Sequence, residues 1–228
     1  MPRLSRLKDE LSFVRGNLLV LIVSWVFFRF VGSMVYPYES LYLEALGASA
    51  FIIGLLGAIS TLALFFSRLV GGYLADKYGR RDLIVAMTFG VALSYAFYAL
   101  APDWKLVAIG MVVANLCLVY QPALQAITAD SIPPEKRGLG YALANVIPGI
   151  SALFSPFVAR ALIYRYGFVE GMRAAYWITV AGCLMAALTR AFFLEETLKE
   201  KAKRDVKGRE ADAERAKGLH GHIVHKYI

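Results

Sequence analysis

Six apolar stretches, each close to the length needed to cross a bilayer, follow one another with only short turns between them: Asn17–Tyr36, Phe51–Leu74, Leu83–Leu100, Trp104–Thr128, Leu139–Ile163 and Ala174–Leu194. A helix must run for about 20 mostly apolar residues to span a hydrocarbon core about 30 Å thick. Apolar and polar residues do not alternate inside these stretches, so the strands of a membrane barrel are not expected. Turns this short leave neighbouring helices antiparallel. The expected fold class is an all-α membrane protein, a six-transmembrane-helix bundle. Residues 1–16 would form a cytoplasmic amphipathic N-terminus, 17–194 the transmembrane domain and 195–228 a charged cytoplasmic tail.

Composition agrees with this reading. The 228 residues are 58% hydrophobic, with a mean hydropathy of +0.55, where soluble domains average about 45–50% apolar. The net charge of +8 is concentrated in the ends and turns. Beside such apolar segments that charge suits an anionic lipid bilayer rather than nucleic acid. Cys117 and Cys183 both lie in apolar runs and are read as small hydrophobes, not as a disulfide or metal pair. The apolar run after the charged Met1–Arg15 segment is too long for a signal peptide and reads as an uncleaved first span.

Lysine and arginine set the orientation. Arg3, Arg6, Lys8, Arg15, Lys77, Arg80, Arg81, Lys136, Arg137 and the tail fall on one side; Lys105, Arg160, Arg165 and Arg173 fall on the other. The richer side is taken as cytoplasmic, with both termini inside the cell and the protein multi-pass in the cell membrane. The three arginines of the last external loop run against this and are outvoted. Leu4, Leu7, Leu11 and Val14 suggest an amphipathic helix on the inner surface. In the tail, Glu195/Lys199, Glu200/Arg204 and Asp205/Arg209 are acid-first pairs at i,i+4, which favours a solvated helix. His220, His222 and His225 read as part of a disordered tail rather than a metal site.

One turn is denser in charge than topology requires. Gly71–Arg81 reads G-G-Y-L-A-D-K-Y-G-R-R. Lys77, Arg80 and Arg81 are explained by sidedness; Gly72, Asp76 and Gly79 are not. Gly72 is expected to let the helix end pack closely on a neighbour, and Gly79 to supply a positive φ for a tight reversal. Asp76 needs a partner, either Arg80 or a helix N-terminus.

The spacing G-x-x-x-D-x-x-G-R-R after the second apolar span resembles the signature of the major facilitator superfamily. Its transporters carry that signature between their second and third helices. Pro122–Gly138, P-A-L-Q-A-I-T-A-D-S-I-P-P-E-K-R-G, is similar to the end of that family's fourth helix and the following turn, and F-L-E-E-T at 193–197 to the close of its sixth. The resemblance covers the N-terminal half of a twelve-helix transporter. It implies two six-helix halves, each built from two inverted three-helix units. Val35-Tyr36-Pro37 and Val119-Tyr120-Gln121-Pro122 form a faint echo of that inner repeat. It further implies that the first and fourth helices line a substrate cavity, the second and fifth face the other half, and the third and sixth face lipid. The signature aspartate, Asp76 here, would latch the cytoplasmic side against a helix of the other half.

Within that frame the polar residues of the first and fourth spans become candidates. Arg29 lies twelve residues beyond Asn17, about 18 Å along a helix, too deep to reach the interface. A charge there costs at least about 2.5–3.5 kcal/mol and normally faces a cavity or a partner. A cavity-lining role with Ser33 and Tyr36 is expected; the competing reading is a structural arginine bonded to carbonyls or another helix. Gln121 and Gln125 share a face beside Pro122 and suit either a ligand site or a kinked packing contact, as Asn115 suits either cavity or packing. Asn145, Pro148 and Pro156 mark the fifth span as a flexible helix. Arg68 and Arg190 sit near span ends, where snorkelling suffices.

Two features depart from the drug–proton antiporters of this superfamily. Gly110 stands where they carry an arginine, and the fifth span reads Ser155-Pro156 with Arg160 where glycine is usual. No carboxylate lies inside any of the six segments, Glu39 coming closest. The expected function is secondary active transport of a small solute by alternating access, as a half-transporter that needs a second six-helix half, either a second copy or a separate chain. The alternative is a non-transporting fragment or assembly partner of a full-length transporter. No nucleophile–base pair, phosphate loop or metal spacing points to an enzyme, and no cofactor is expected.

Overall fold

In the computed structural model, which describes residues 11–197, every regular element is helical. Six spans are long and apolar enough to cross a membrane: Asn17–Ala45, Ala50–Tyr78, Arg80–Ala99, Trp104–Asp130, Pro134–Tyr166 and Phe168–Phe193. They coincide with all six expected segments; four of these are contained, and the third and sixth spans stop one residue before the expected Leu100 and Leu194. The chain divides at Glu195/Glu196 into two units, and nearly all of the second lies outside the described residues. The expected tail helix and the three histidines lie there too, as do Leu4 and Leu7. Leu11–Phe13 is a turn, so the amphipathic helix does not extend through it; Phe13 packs with Leu18, Ile22 and Ile132 instead.

The largest displacement is at the end of the first span, which continues through Pro37 to Ala45. The α-helix Asn17–Val35 tightens into a 3₁₀ turn at Tyr36–Tyr38 and resumes at Glu39–Ala45. Proline lacks an N–H and is tolerated at the start of a helical segment, so the 3₁₀ turn carries the chain past it without ending the span. Glu39 therefore lies inside a span, which corrects the expectation that no span holds a carboxylate. The fourth span breaks in the same way. Trp104–Cys117 passes through a 3₁₀ turn at Leu118–Tyr120 into Gln121–Asp130, with Pro122 in its first turn. The Tyr-Pro echo in the sequence thus marks two matching breaks.

A second pair of matching positions supports the repeat. The second and third spans are joined through the single residue Gly79, at φ 91°, and the fifth and sixth through Gly167, at φ 83°. A residue with a Cβ is strained at such angles, so glycine makes the one-residue reversal possible. Packing follows the same exchange. The first span packs on the fifth and sixth, the fourth on the second and third, and the third and sixth on each other. Swapping first with fourth, second with fifth and third with sixth leaves that arrangement unchanged, as inverted three-helix units require.

Burial is uneven. Only 17% of the most apolar stretch of the second and of the fifth span is buried in this chain, against 39–44% for the other four. The third and sixth spans pack together and bury small residues, among them Thr88, Ala92, Cys183, Ala186 and Ala187. Small side chains let helices approach in lipid, where hydrophobicity gives no drive for association. Asn17 clamps the two ends of the bundle together. Its Nδ2 donates to the Glu195 carbonyl at 3.0 Å, and the Glu195 N–H donates to its Oδ1 at 2.8 Å. Both ends of the domain thus lie on one face. On the opposite face, the Trp104 N–H donates to the Leu46 carbonyl at 3.3 Å and Arg173 Nη2 to the Ala101 carbonyl at 2.8 Å.

The glycine that holds a close helix contact is Gly71, not Gly72. A Cβ on Gly71 would overlap the Val119 carbonyl and press on Pro122, whereas Gly72 faces open space within this chain. One residue turns a helix by about 100°, and the sequence alone does not fix which of two adjacent glycines points inward. Gly71→Val is expected to lower stability by about 1–3 kcal/mol through overpacking, read as a fall in unfolding temperature in detergent, while Gly72→Ala leaves it nearly unchanged.

Candidate functional site

The two broken spans bring a cavity of about 470 Å³ between them. The first span contributes Trp25, Arg29, Ser33 and Tyr36, spaced four, four and three residues apart, which is one face of a helix. The fourth contributes Ala114, Leu118 and Gln121, and the third closes one wall with Val91 and Tyr95. An adjoining cavity of about 230 Å³ shares Trp25, Arg29 and Gln121 and adds Gln125, Arg68, Thr128, Asn145 and Pro148. Five of the six residues expected to bind a solute, Arg29, Ser33, Tyr36, Gln121 and Gln125, thus lie on these two cavities. Asn115 lines neither. Its amide donates to the Met111 carbonyl one turn back at 2.8 Å, which satisfies it within its own helix.

Arg29 is exposed within this chain and forms no hydrogen bond or ion pair among the described residues. Its one charge contact is with the Trp25 ring, 6.0 Å from guanidinium carbon to centroid. Gln121 is held rather than free: its Oε1 accepts from Arg68 Nε at 2.9 Å. Arg68 thus holds the cavity wall through its Nε while the residue stays exposed. Trp25 and Tyr95 had no polar or charge signal to single them out in the sequence. Trp25 was accessible by counting one turn back from Arg29 along the same face.

Arg190 departs furthest from the sequence reading. It is fully buried. Its Nε donates to Ser24 Oγ at 3.1 Å and its Nη1 to Thr88 Oγ1 at 2.7 Å, while Nη2 has no partner. The guanidinium carbon lies 5.3 Å from the Tyr120 centroid, 5.7 Å from Trp25 and 6.0 Å from Phe28. Snorkelling is excluded because the side chain turns into the bundle, where hydroxyls and ring faces, not a carboxylate, receive the charge.

The 76–81 turn forms a second cluster on the face where the domain begins and ends. Arg80 Nη1 meets Asp130 Oδ2 at 2.7 Å, with side-chain exposures of 11% and 23%. Arg81 Nε and Nη2 each donate at 2.6 Å, to the carbonyls of Leu194 and Ala191. These carbonyls lie at the C-terminal end of the sixth span, where a cation offsets the unpaired acceptors and the negative helix end. Gly79 supplies the positive φ described above. Asp76 does not pair with Arg80, because Asp130 at the end of the fourth span occupies that guanidinium. Nor does Asp76 cap the third span, whose N-cap is Gly79 without a side-chain bond. Asp76 stays exposed and has no ion pair among the described residues.

The Arg80–Asp130 pair ties the second–third turn to the fourth span and is mostly shielded from water. A double-mutant cycle with Arg80→Gln and Asp130→Asn is expected to give a coupling of about 1.5–3 kcal/mol, the range for hydrogen bonds to charged groups. Unfolding in detergent measures it; coupling near zero would reduce the pair to mere proximity.

Comparison with known proteins agrees with this architecture. A 170-residue stretch is 31% identical to the uncharacterized MFS-type transporter YqjV of Bacillus subtilis, covering 67% of this chain and 42% of that protein. A 174-residue stretch is 29% identical to a Na(+), Li(+), K(+)/H(+) antiporter of Planococcus maritimus, covering 72% and 39%. The riboflavin transporter RibZ of Clostridioides difficile is 27% identical over 205 residues, 82% of this chain and 43% of that one. The chain thus spans less than half the length of these relatives. Its fold is similar to the crystal structure of peptide transporter POT in complex with sulfate, with a TM-score of 0.64 at 18% identity over 93% of this chain and 47% of that one. The sequence profile of the Major Facilitator Superfamily matches residues 21–225, and with the inverted six-span bundle already in place this chain belongs to that superfamily.

Proposed function

We propose that the chain forms one six-helix half of a secondary active transporter that moves a small solute by alternating access, without altering it chemically. The observation that carries this reading is the cavity between the two broken spans, with an unpaired arginine exposed on it and the two least buried spans beside it. The second and fifth spans expose Phe51, Leu55, Leu62, Phe66, Ile150, Phe154 and Phe157, among others. Lipid or a second six-helix half accounts for such a surface. A second half, whether further along a longer polypeptide, in a separate chain or in a second copy, closes the cavity that six helices leave open. The relatives' printed names, antiporter and riboflavin transporter, support transport as the class of activity and differ in solute.

The lysine and arginine bias supports an orientation with both ends of the domain on the cytoplasmic side of the cell membrane. Asp76 then stands at the cytoplasmic mouth with no ion pair among the described residues, available to a helix N-terminus of the second half. Such a contact is worth about 0.3–1 kcal/mol, and up to about 2 kcal/mol when partly buried. That is enough to bias an equilibrium between inward and outward states without being needed for folding.

Topology is tested by reporter fusions after Arg15, Asp103 and Lys217. Cytoplasmic signals from the first and last, with an external signal from the middle one, are expected; an external signal at Lys217 overturns the orientation. Alternating access is tested with Ser33→Cys in a background where Cys117 and Cys183 are replaced by serine. In the assembled transporter a membrane-impermeant thiol reagent is expected to reach the new cysteine from either side. Access from one side only, whatever solute is supplied, favours a non-transporting assembly partner. Arg29→Ala is expected to abolish transport with little change in unfolding temperature, and Arg29→Lys to rescue poorly because lysine lacks the planar fork.

A further inference from the structure

The charged side chains that line the two cavities have a single sign. Neither cavity is lined by an aspartate or glutamate, while Arg29 and Arg68 line them. Arg190 lies behind the wall they share, its guanidinium over the rings of Trp25 and Phe28, which line the larger cavity. Among the described residues none of the three has an acidic partner. Arg68 is engaged by a neutral amide and Arg190 by two hydroxyls. Glu39, the nearest acid after Arg29 along the first span, stands ten residues further on, about 15 Å along a helix; it lies near Tyr95 of the larger cavity but lines neither cavity, and it forms no ion pair among the described residues. A buried guanidinium with an unpaired N–H and an exposed one with no hydrogen bond or ion pair among the described residues both lie within 6.0 Å of the Trp25 ring centre. Uncompensated positive charge at this depth is expensive and is kept where something negative arrives to meet it.

The geometry points to an organic anion as the solute: a carboxylate or sulfonate carried on a flat apolar body. The anion seats on the Arg29 guanidinium, whose planar fork suits two oxygens at once. Trp25, Phe28 and Tyr95 provide ring faces for the apolar part, and a cavity of about 470 Å³ falls in the range that takes small organic ligands. Arg190 adds positive potential from behind without touching the solute, and the low dielectric around it keeps that potential from being screened. An organic cation of the same shape meets two like charges and no acceptor carboxylate. This inference rests on the transport reading for its biological meaning. The anion preference itself is a property of the cavity in this chain.

Three probes sharing one ring test it: 2-naphthoate, 2-naphthylmethanol and 2-naphthylmethylammonium. The full 228-residue chain is placed in lipid nanodiscs with Trp104 and Trp177 changed to phenylalanine, so that Trp25 alone reports binding by quenching. We expect 2-naphthoate to bind at least tenfold more tightly than the alcohol, and the ammonium probe most weakly. Arg29→Gln is expected to remove that tenfold advantage and leave the alcohol unaffected, which a general loss of fold would not do. Arg190→Gln is expected to weaken 2-naphthoate by a smaller factor. If that variant fails to fold, the Arg29→Gln comparison still decides. Equal or tighter binding of the ammonium probe overturns the anion assignment, as does 2-naphthoate binding that survives Arg29→Gln. Binding of none of the three overturns the claim that this chain forms an anion seat. The thiol-access result at Ser33→Cys separates the outcomes: if alternating access holds while the anion preference fails, only the solute class is lost.

Discussion

Arg190 joins three spans at one point, and the centre of the bundle is organised around it. Its Nε and Nη1 reach Ser24 in the first span and Thr88 in the third, and three aromatic faces surround its charge. Exchanging these partners for water is impossible at that depth, and truncating a partner leaves a buried charge less satisfied, a cost far above that of a lost surface contact. The helix contacts that place Ser24, Thr88 and Arg190 together are the third–sixth and first–sixth packings through small residues. The same packing leaves the polar faces of the first and fourth spans turned towards the cavity.

A second constraint comes from the solvent. In hydrocarbon every backbone N–H and C=O must be satisfied within the protein, so departures from helix survive only where they are packed or line a cavity. The breaks at Tyr36–Tyr38 and Leu118–Tyr120 obey this rule. Each is a 3₁₀ turn beside a proline, and Tyr36 and Leu118 line the larger cavity. The inverted repeat places both breaks at matching positions, so a cavity between the first and fourth spans follows from the symmetry of the chain. The cluster at Arg80, Arg81, Asp130 and Leu194 then closes one end of the bundle by tying the second–third turn to the ends of the fourth and sixth spans.

Arg29 and Arg190 divide the work of one charge type between two environments. Arg190 is spent on holding helices; Arg29, with a single ring contact among the described residues, stays exposed on the cavity. Asp76 is also exposed at the end of the bundle, beside a turn whose two arginines are engaged.

The number and rough position of the spans, the helical class, the tight turn at Gly79 and the polar face through Arg29, Ser33 and Tyr36 were legible in the sequence. Hydrophobic length, glycine's access to positive φ and the period of a helix act locally. The continuation of the first span through Pro37, with Glu39 inside it, was not legible, because proline disfavours a helix in general and only the 3₁₀ turn here carries the chain past it. The choice of Gly71 over Gly72, of Asp130 over Asp76 as the partner of Arg80, and of burial over snorkelling for Arg190 needed the tertiary structure. Each depends on which neighbouring helix lies on which side, a relation between residues 48 to 166 positions apart. Local sequence sets what a residue can do, and the packing of distant spans decides which partner is within reach.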